Sequence, residues 1–195
     1  LMAVHPCRAI LTFFRQDKPH ALDAWVTARC HLMGGKKHVC SEQITIYADG
    51  ALPGELASVV SPLVLSDLPV VLWWRSRNLD HPVMQALTRC TRKIIFDSSY
   101  EPFSLTVLTQ AADRVIQEAD CIWLADLNWR RLDGWRRSLA EAFDGFPMDT
   151  GYLTRIRGVK VMVAAGADST AMSTQGLLLT GWMASRLEWH HERDK

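Results

Sequence analysis

The first fifty residues alternate apolar and polar positions at the period of two that marks strands. Residues 5–14 read as a strand, with Arg8, Ile10, Thr12 and Phe14 on one side. Residues 22–32 show no clean helical stripe, and Trp25, Val26 and Thr27 favour strand. Gly34, Gly35, Lys36 and Lys37 read as a hairpin loop, and residues 39–48 return with Ile44 and Ile46 on one side. This region is expected to form a three-stranded, mainly antiparallel unit.

After Asp49-Gly50 the pattern changes. Leu56, Val59, Val60, Leu63 and Val64 form a helical stripe, which Pro62 should kink or stop early. Residues 70–74 (VVLWW) are a continuous apolar run, as in a strand covered on both faces. A short helix from His81-Pro82, a strand at 93–96 and a helix carrying Leu105, Leu108, Ala112, Val115 and Ala119 follow. Then come a strand at 121–124, a helix at 130–144, a strand at 155–164 and a last helix at 173–189. Alternation of this kind predicts an α/β fold: a mixed, largely parallel sheet with helices on both faces, after the β-rich start. The expected organisation is one domain, with residues 1–50 as a β-rich subregion and 51–195 as an alternating one. Binding features collect at the carboxyl ends of such strands. Those ends carry Trp73-Trp74-Arg75, Asp97-Ser98-Ser99, Asp126 to Trp129, and Gly166 to Ser169.

Composition narrows the function classes. The 195 residues are 48% apolar, enough for a sizeable core, and a formal net charge of +1 gives no bias toward nucleic acid or membranes. No apolar run reaches membrane-spanning length, and no signal peptide is seen. The start at Leu1-Met2-Ala3, close to a strand, reads as a fragment of a longer chain. Five widely spaced cysteines, an odd number, favour reduced thiols and a cytoplasmic setting.

Catalytic patterns are weak. Cys30-His31 and His38-x-Cys40 flank the hairpin loop, but the zinc knuckle spacing is missing, so no metal is expected. A Cys30–Cys40 disulfide across paired strands stays open as a redox feature, beside the plainer reading of strand residues that happen to be Cys and His. Neither a nucleophile elbow nor a zincin helix is present. Asp97 and Asp126 could pair for acid–base work, although Asp after a strand more often caps a helix. Gly166, Ser169 and Thr170 could cradle an anion, but both the P-loop lysine and the dinucleotide glycine triplet are absent. No catalytic residue and no cofactor are assigned.

Tryptophan and arginine are the anomaly. The segment 121–147 holds three tryptophans and four arginines, the residue types that dominate binding hot spots. Leu132, Trp135, Leu139 and Phe143 are expected in the core, and Trp129 as a partly exposed anchor in a turn with Asp126 and Asn128.

These residues carry a resemblance. His5-Pro6-Cys7-Arg8-Ala9-Ile10, Cys40-Ser41-Glu42-Gln43-Ile44-Thr45 and Leu68-Pro69-x-x-Leu72-Trp73-Trp74 begin it. It continues through Asp97-Ser98-Ser99, Ala125-Asp126-Leu127-Asn128-Trp129-Arg130-Arg131-Leu132 and Gly181-Trp182-Met183-Ala184-Ser185-Arg186-Leu187-x-Trp189. In their order and extent they resemble the glucose-6-phosphate dehydrogenase assembly protein family (OpcA), most closely its cyanobacterial-type members. The resemblance implies a non-catalytic assembly factor or allosteric activator of glucose-6-phosphate dehydrogenase, serving the oxidative pentose phosphate pathway. It also implies a redox link through thioredoxin, although Cys40-Ser41-Glu42 stands where relatives often have Cys-Cys-Glu. The expected partner surface is Trp73, Trp74, Arg75, Asp126, Asn128, Trp129, Arg130 and Arg131. The alternative is a small-molecule enzyme or sensor holding a sugar phosphate between the strand-end loops.

Overall fold

The computed structural model describes residues 7–33, 37–65, 67–99, 104–117, 122–145, 151–164 and 173–189. Within it the chain divides into two compact units, Leu1–Leu68 with Pro82–Cys90 and Pro69–His81 with Thr91–Lys195.

In the first unit β1 (Arg8–Arg15), β2 (Ala21–Met33) and β3 (Lys37–Asp49) form a sheet in the order β1-β3-β2. The β2–β3 hairpin pairs antiparallel over thirteen positions, and β1 joins β3 parallel over eight. The antiparallel pairing dominates, as expected of a mainly antiparallel unit, and β1 adds to it in parallel. Period-two patterning explains the core: Ile44, Ile46 and Ala48 are buried on one side of β3. On the other side Phe13, Tyr47 and Trp25 stack, with centroids 4.6 and 5.4 Å apart. Gly50 turns the chain at φ +58°. A Cβ there would meet the Lys18 carbonyl oxygen at 2.6 Å and the His20 amide nitrogen at 2.9 Å.

Helix α1 (Pro53–Val60) begins with proline, and Glu55 accepts from the Leu52 amide at 2.7 Å. It buries Leu56 and Val60, then gives way to a 3-10 turn at Ser61–Leu63, the early stop expected from Pro62. It packs beside α2 (Pro82–Thr88), whose Val83, Met84 and Leu87 are buried.

In the second unit β4 (Val71–Trp73), β5 (Lys93–Phe96) and β6 (Trp123–Asp126) form a parallel sheet in that order. It is joined by α3 (Ser104–Gln117), α4 (Leu127–Arg131), α5 (Asp133–Asp144) and α6 (Thr174–Arg186). The α/β class and the parallel character of this sheet are as expected.

Four local expectations are corrected. β4 is an outer strand with Val71 and Trp73 exposed, so it is not covered on both faces. On α3 the buried positions are Val107, Ala111 and Arg114, while Leu105 and Val115 are exposed. The stripe is rotated because Arg114 can be buried when its Nη2 donates to the Leu79 carbonyl at 3.0 Å and its Nε lies 3.8 Å from Asp80. Trp135 is exposed, leaving Leu132 as the buried member of its group. Residues 155–164 form no strand; a 3-10 turn at Leu153–Arg155 leads into unpaired backbone. The hairpin loop at 34–36, Pro102, Ala119, Cys121 and Pro147 lie outside the described residues. No helix among the described residues is long and apolar enough to cross a membrane.

Candidate functional site

The carboxyl ends of β5 and β6 lie side by side, with Phe96 opposite Asp126 in the register. Strand β6 runs two residues beyond its predicted end, so Asp126 is its last residue and caps α4 directly. The expected turn is thus a helix. Asp126 Oδ1 accepts from the Asn128 amide at 2.9 Å and the Ser98 amide at 3.0 Å, and Oδ2 accepts from the Ser98 hydroxyl at 2.6 Å. One carboxylate therefore caps a helix and ties two strand ends together.

Asn128 is fully buried. Its Nδ2 donates to Ser98 Oγ at 3.1 Å and to Thr174 Oγ1 at 3.0 Å, and its Oδ1 accepts from Gln175 Nε2 at 3.0 Å. Thr174 Oγ1 in turn donates to the Ser98 carbonyl at 3.0 Å. Each hydroxyl donates once and accepts once, so the amide and both hydroxyls are satisfied together.

Asp97 forms the second half of the cluster. Arg131 grips it through two bonds, Nη1 to Oδ1 at 2.8 Å and Nη2 to Oδ2 at 2.6 Å. The amide and hydroxyl of Ser99 donate to the same Oδ1 at 3.1 and 2.7 Å. The Arg131 hydrogen bonds, with smaller help from Ser99 and against the cost of burial, pull the Asp97 carboxyl down to about 2. A carboxylate held ionised in this way is poorly suited to move protons near neutral pH. Asp97 and Asp126 are each committed to their own donors and do not form an acid–base pair.

The other predicted residues divide by exposure. Trp74 donates its Nε1 to the Asn78 carbonyl at 2.9 Å and lies tilted against His81. Trp73, on the opposite face of β4, is exposed, with the Arg75 guanidinium 5.8 Å from its ring centroid. Trp129 is half-buried, and the Arg136 guanidinium lies 3.5 Å from its ring centroid. Arg130 is exposed and pairs with Asp133 at 2.5 Å. Gly166, Ser169 and Thr170 lie outside the described residues.

Sequence reasoning missed Thr174 and Gln175. Their only signal was a polar pair opening an otherwise apolar helix, and their partners are 46 to 76 residues away.

In the first unit Cys30 and Cys40 are opposite each other in the register, with Cα atoms 4.1 Å apart, and form a disulfide. The expectation of reduced thiols therefore fails for this pair: an antiparallel partner position brings the two sulfurs together. A disulfide also removes both as thiolate metal ligands. Ser41, the next residue, is buried.

Residues 1–113 match the family model described as the glucose-6-phosphate dehydrogenase subunit N-terminal domain, and residues 122–195 match its C-terminal domain. Among curated proteins, the chain is 30% identical over 188 residues to the "Putative OxPP cycle protein OpcA" of Synechococcus elongatus. It is 31% identical over 191 residues to the protein of the same name from Nostoc punctiforme, and 29% over 192 to that of Synechocystis. These alignments cover 95%, 95% and 97% of this chain but 40%, 38% and 38% of the relatives, so the chain spans about two fifths of their length. No solved structure matches it.

Proposed function

The chain belongs to the OpcA glucose-6-phosphate dehydrogenase assembly family, and from that premise we propose that it is a non-catalytic assembly factor that binds glucose-6-phosphate dehydrogenase and raises its activity. By this reading it supports the oxidative pentose phosphate pathway.

One observation carries the proposal beyond family membership. The polar groups at the described strand ends, where an α/β enzyme would keep its chemistry, are spent on one another. What remains outward is aromatic and cationic: Trp73, Arg75, Arg130 and Trp135. Such side chains make contact surfaces rather than reaction centres. Asp126, Asn128 and Trp74 act in this scheme as the frame, while Trp73, Arg75, Trp129 and Arg130 are assigned to the contact. An activator must bind the active form of its partner more tightly than the inactive form, since equal binding shifts nothing.

The test is to mix the purified chain with its cognate dehydrogenase, and to measure complex mass by light scattering together with substrate saturation curves. The expected result is a complex heavier than the dehydrogenase alone, with a lower KM or a higher kcat. Unchanged mass and unchanged curves would overturn the proposal.

A further inference from the structure

Among the described residues, the parallel sheet of the second unit has one buried face and one exposed face. Across β4, β5 and β6 the register sets Val71, Lys93 and Trp123 in one row and Trp73, Ile95 and Ala125 in another, two residues along. Side chains two apart on a strand share a face, so both rows point the same way. The opposite face carries Ile94 and Phe96, which are 0% and 3% exposed. On the first face Val71, Trp73 and Trp123 are 50%, 61% and 74% exposed, and Lys93 is exposed between them. Parallel sheets are ordinarily covered on both sides, and a contiguous apolar face of this kind marks an interaction site.

Charge decides what covers it. Arg75 and Lys93 border or cross this face, and neither makes an ion pair among the described residues. The two carboxylates at the strand ends are already committed, Asp97 to Arg131 and Asp126 to Ser98 and Asn128. Among the described residues the face therefore presents cations without counter-charges. Lys93 lies between Val71 and Trp123, so a purely apolar cover would strand its ammonium in a low-dielectric contact. A second copy of the chain fits poorly, because a two-fold pairing through this face would bring two sets of the same cations, Arg75 and Lys93, into one contact.

We propose that this open sheet face is the docking surface for an amphipathic, acidic segment of the partner dehydrogenase. Apolar side chains of that segment seat on Trp73 and Trp123, and one of its carboxylates pairs with Lys93. The inference rests on the dehydrogenase reading above and names the surface and the chemistry it selects.

The test measures binding of the full chain to the dehydrogenase by titration calorimetry, for the wild type and for Trp123→Ala, Lys93→Gln, Lys93→Glu and Arg130→Glu. Circular dichroism checks that each variant is folded, and the exposed positions give two independent chemistries, apolar and charged. Trp123→Ala and Lys93→Glu should each weaken binding about tenfold or more. Lys93→Gln should weaken it less and should flatten its dependence on salt. Wild-type affinity in Trp123→Ala and Lys93→Glu, with loss in Arg130→Glu, would overturn the docking surface and leave the dehydrogenase reading standing. No binding by the wild type would overturn both. Acrylamide quenching of the free wild type, compared with Trp73→Phe and Trp123→Phe, should show both rings accessible. Protected rings would mean that the chain covers its own face, and a doubled mass that Lys93→Glu abolishes would assign the face to self-association; either result overturns the proposal.

Discussion

Asn128 uses its whole amide internally, and that makes it the residue whose loss costs most at the strand ends. Asn128→Ala would leave Ser98, Thr174 and Gln175 facing an apolar void. The expected loss is about 3 kcal/mol, since buried groups stay desolvated without a partner. Urea denaturation against wild type measures it. Asp97 makes a second prediction, through pH. Its pKa is about 2 in the folded chain against an ordinary 3.8. The lower value means that ionised Asp97 favours the native state. This stabilisation is fully present above pH 4 and is lost as pH falls through 3.8 toward 2. It amounts to on the order of 2 kcal/mol, reduced by solvent at the half-exposed Arg131. Arg131→Gln should therefore lower stability near neutral pH by ~1 kcal/mol or more, with the gap closing near pH 2. Urea titrations at several pH values would show it.

At the scale of elements, Gly50 and Glu188 sit in the same region of backbone space and make opposite predictions. Gly50 at φ +58° has backbone atoms where a side chain would go. Gly50→Ala should cost about 2 kcal/mol or more, read as a fall in melting temperature. Glu188 ends α6 at φ +56°, with the Trp189 amide donating back to the Ala184 carbonyl at 2.9 Å. That is a left-handed helix terminus normally held by glycine. Glu188→Gly should stabilise by ~0.5–1 kcal/mol in the same assay. The elements themselves were largely legible, because alternation, apolar runs and Pro62 act locally. The rotated face of α3 was not, because Arg114 is buried by a carbonyl 35 residues away. The strand expected at 155–164 failed because alternation shows only that a segment could pair, and not that it joins a sheet.

At the scale of the molecule, composition and alternation carried the α/β class and the parallel sheet, and the order of motifs carried the family. The choice between core and contact for each tryptophan was hidden, since it depends on which face of a sheet is covered. Trp74 and Trp73 are adjacent in sequence and opposite in fate. The disulfide stayed open in the sequence because it depends on the strand register, which sets Cys30 opposite Cys40. Among the described residues β3 positions 37–41 have only β2 beside them, because β1 begins opposite Glu42. A two-stranded ribbon is marginal in water, so the Cys30–Cys40 link should matter most there. Reduction should lower the stability of the first unit by up to about 3 kcal/mol, the loop-closure value for a separation of 10 residues. Calorimetry with and without reductant, and a Cys30→Ser/Cys40→Ser double variant, would measure it.

The strand-end cluster also sets an order of events during synthesis. Ser98, Asp126 and Asn128 leave the ribosome well before Thr174 and Gln175, which complete the hydrogen bonds of the Asn128 side chain. Until those last two residues emerge, β5, β6 and α4 can meet, but they meet around an amide whose partners are still inside the exit tunnel. At ~5–20 residues per second that interval lasts seconds, much longer than helices and local contacts need to form. The nascent second unit must therefore wait, partly assembled and with a polar vacancy at its centre, for a helix near the end of this sequence to close it.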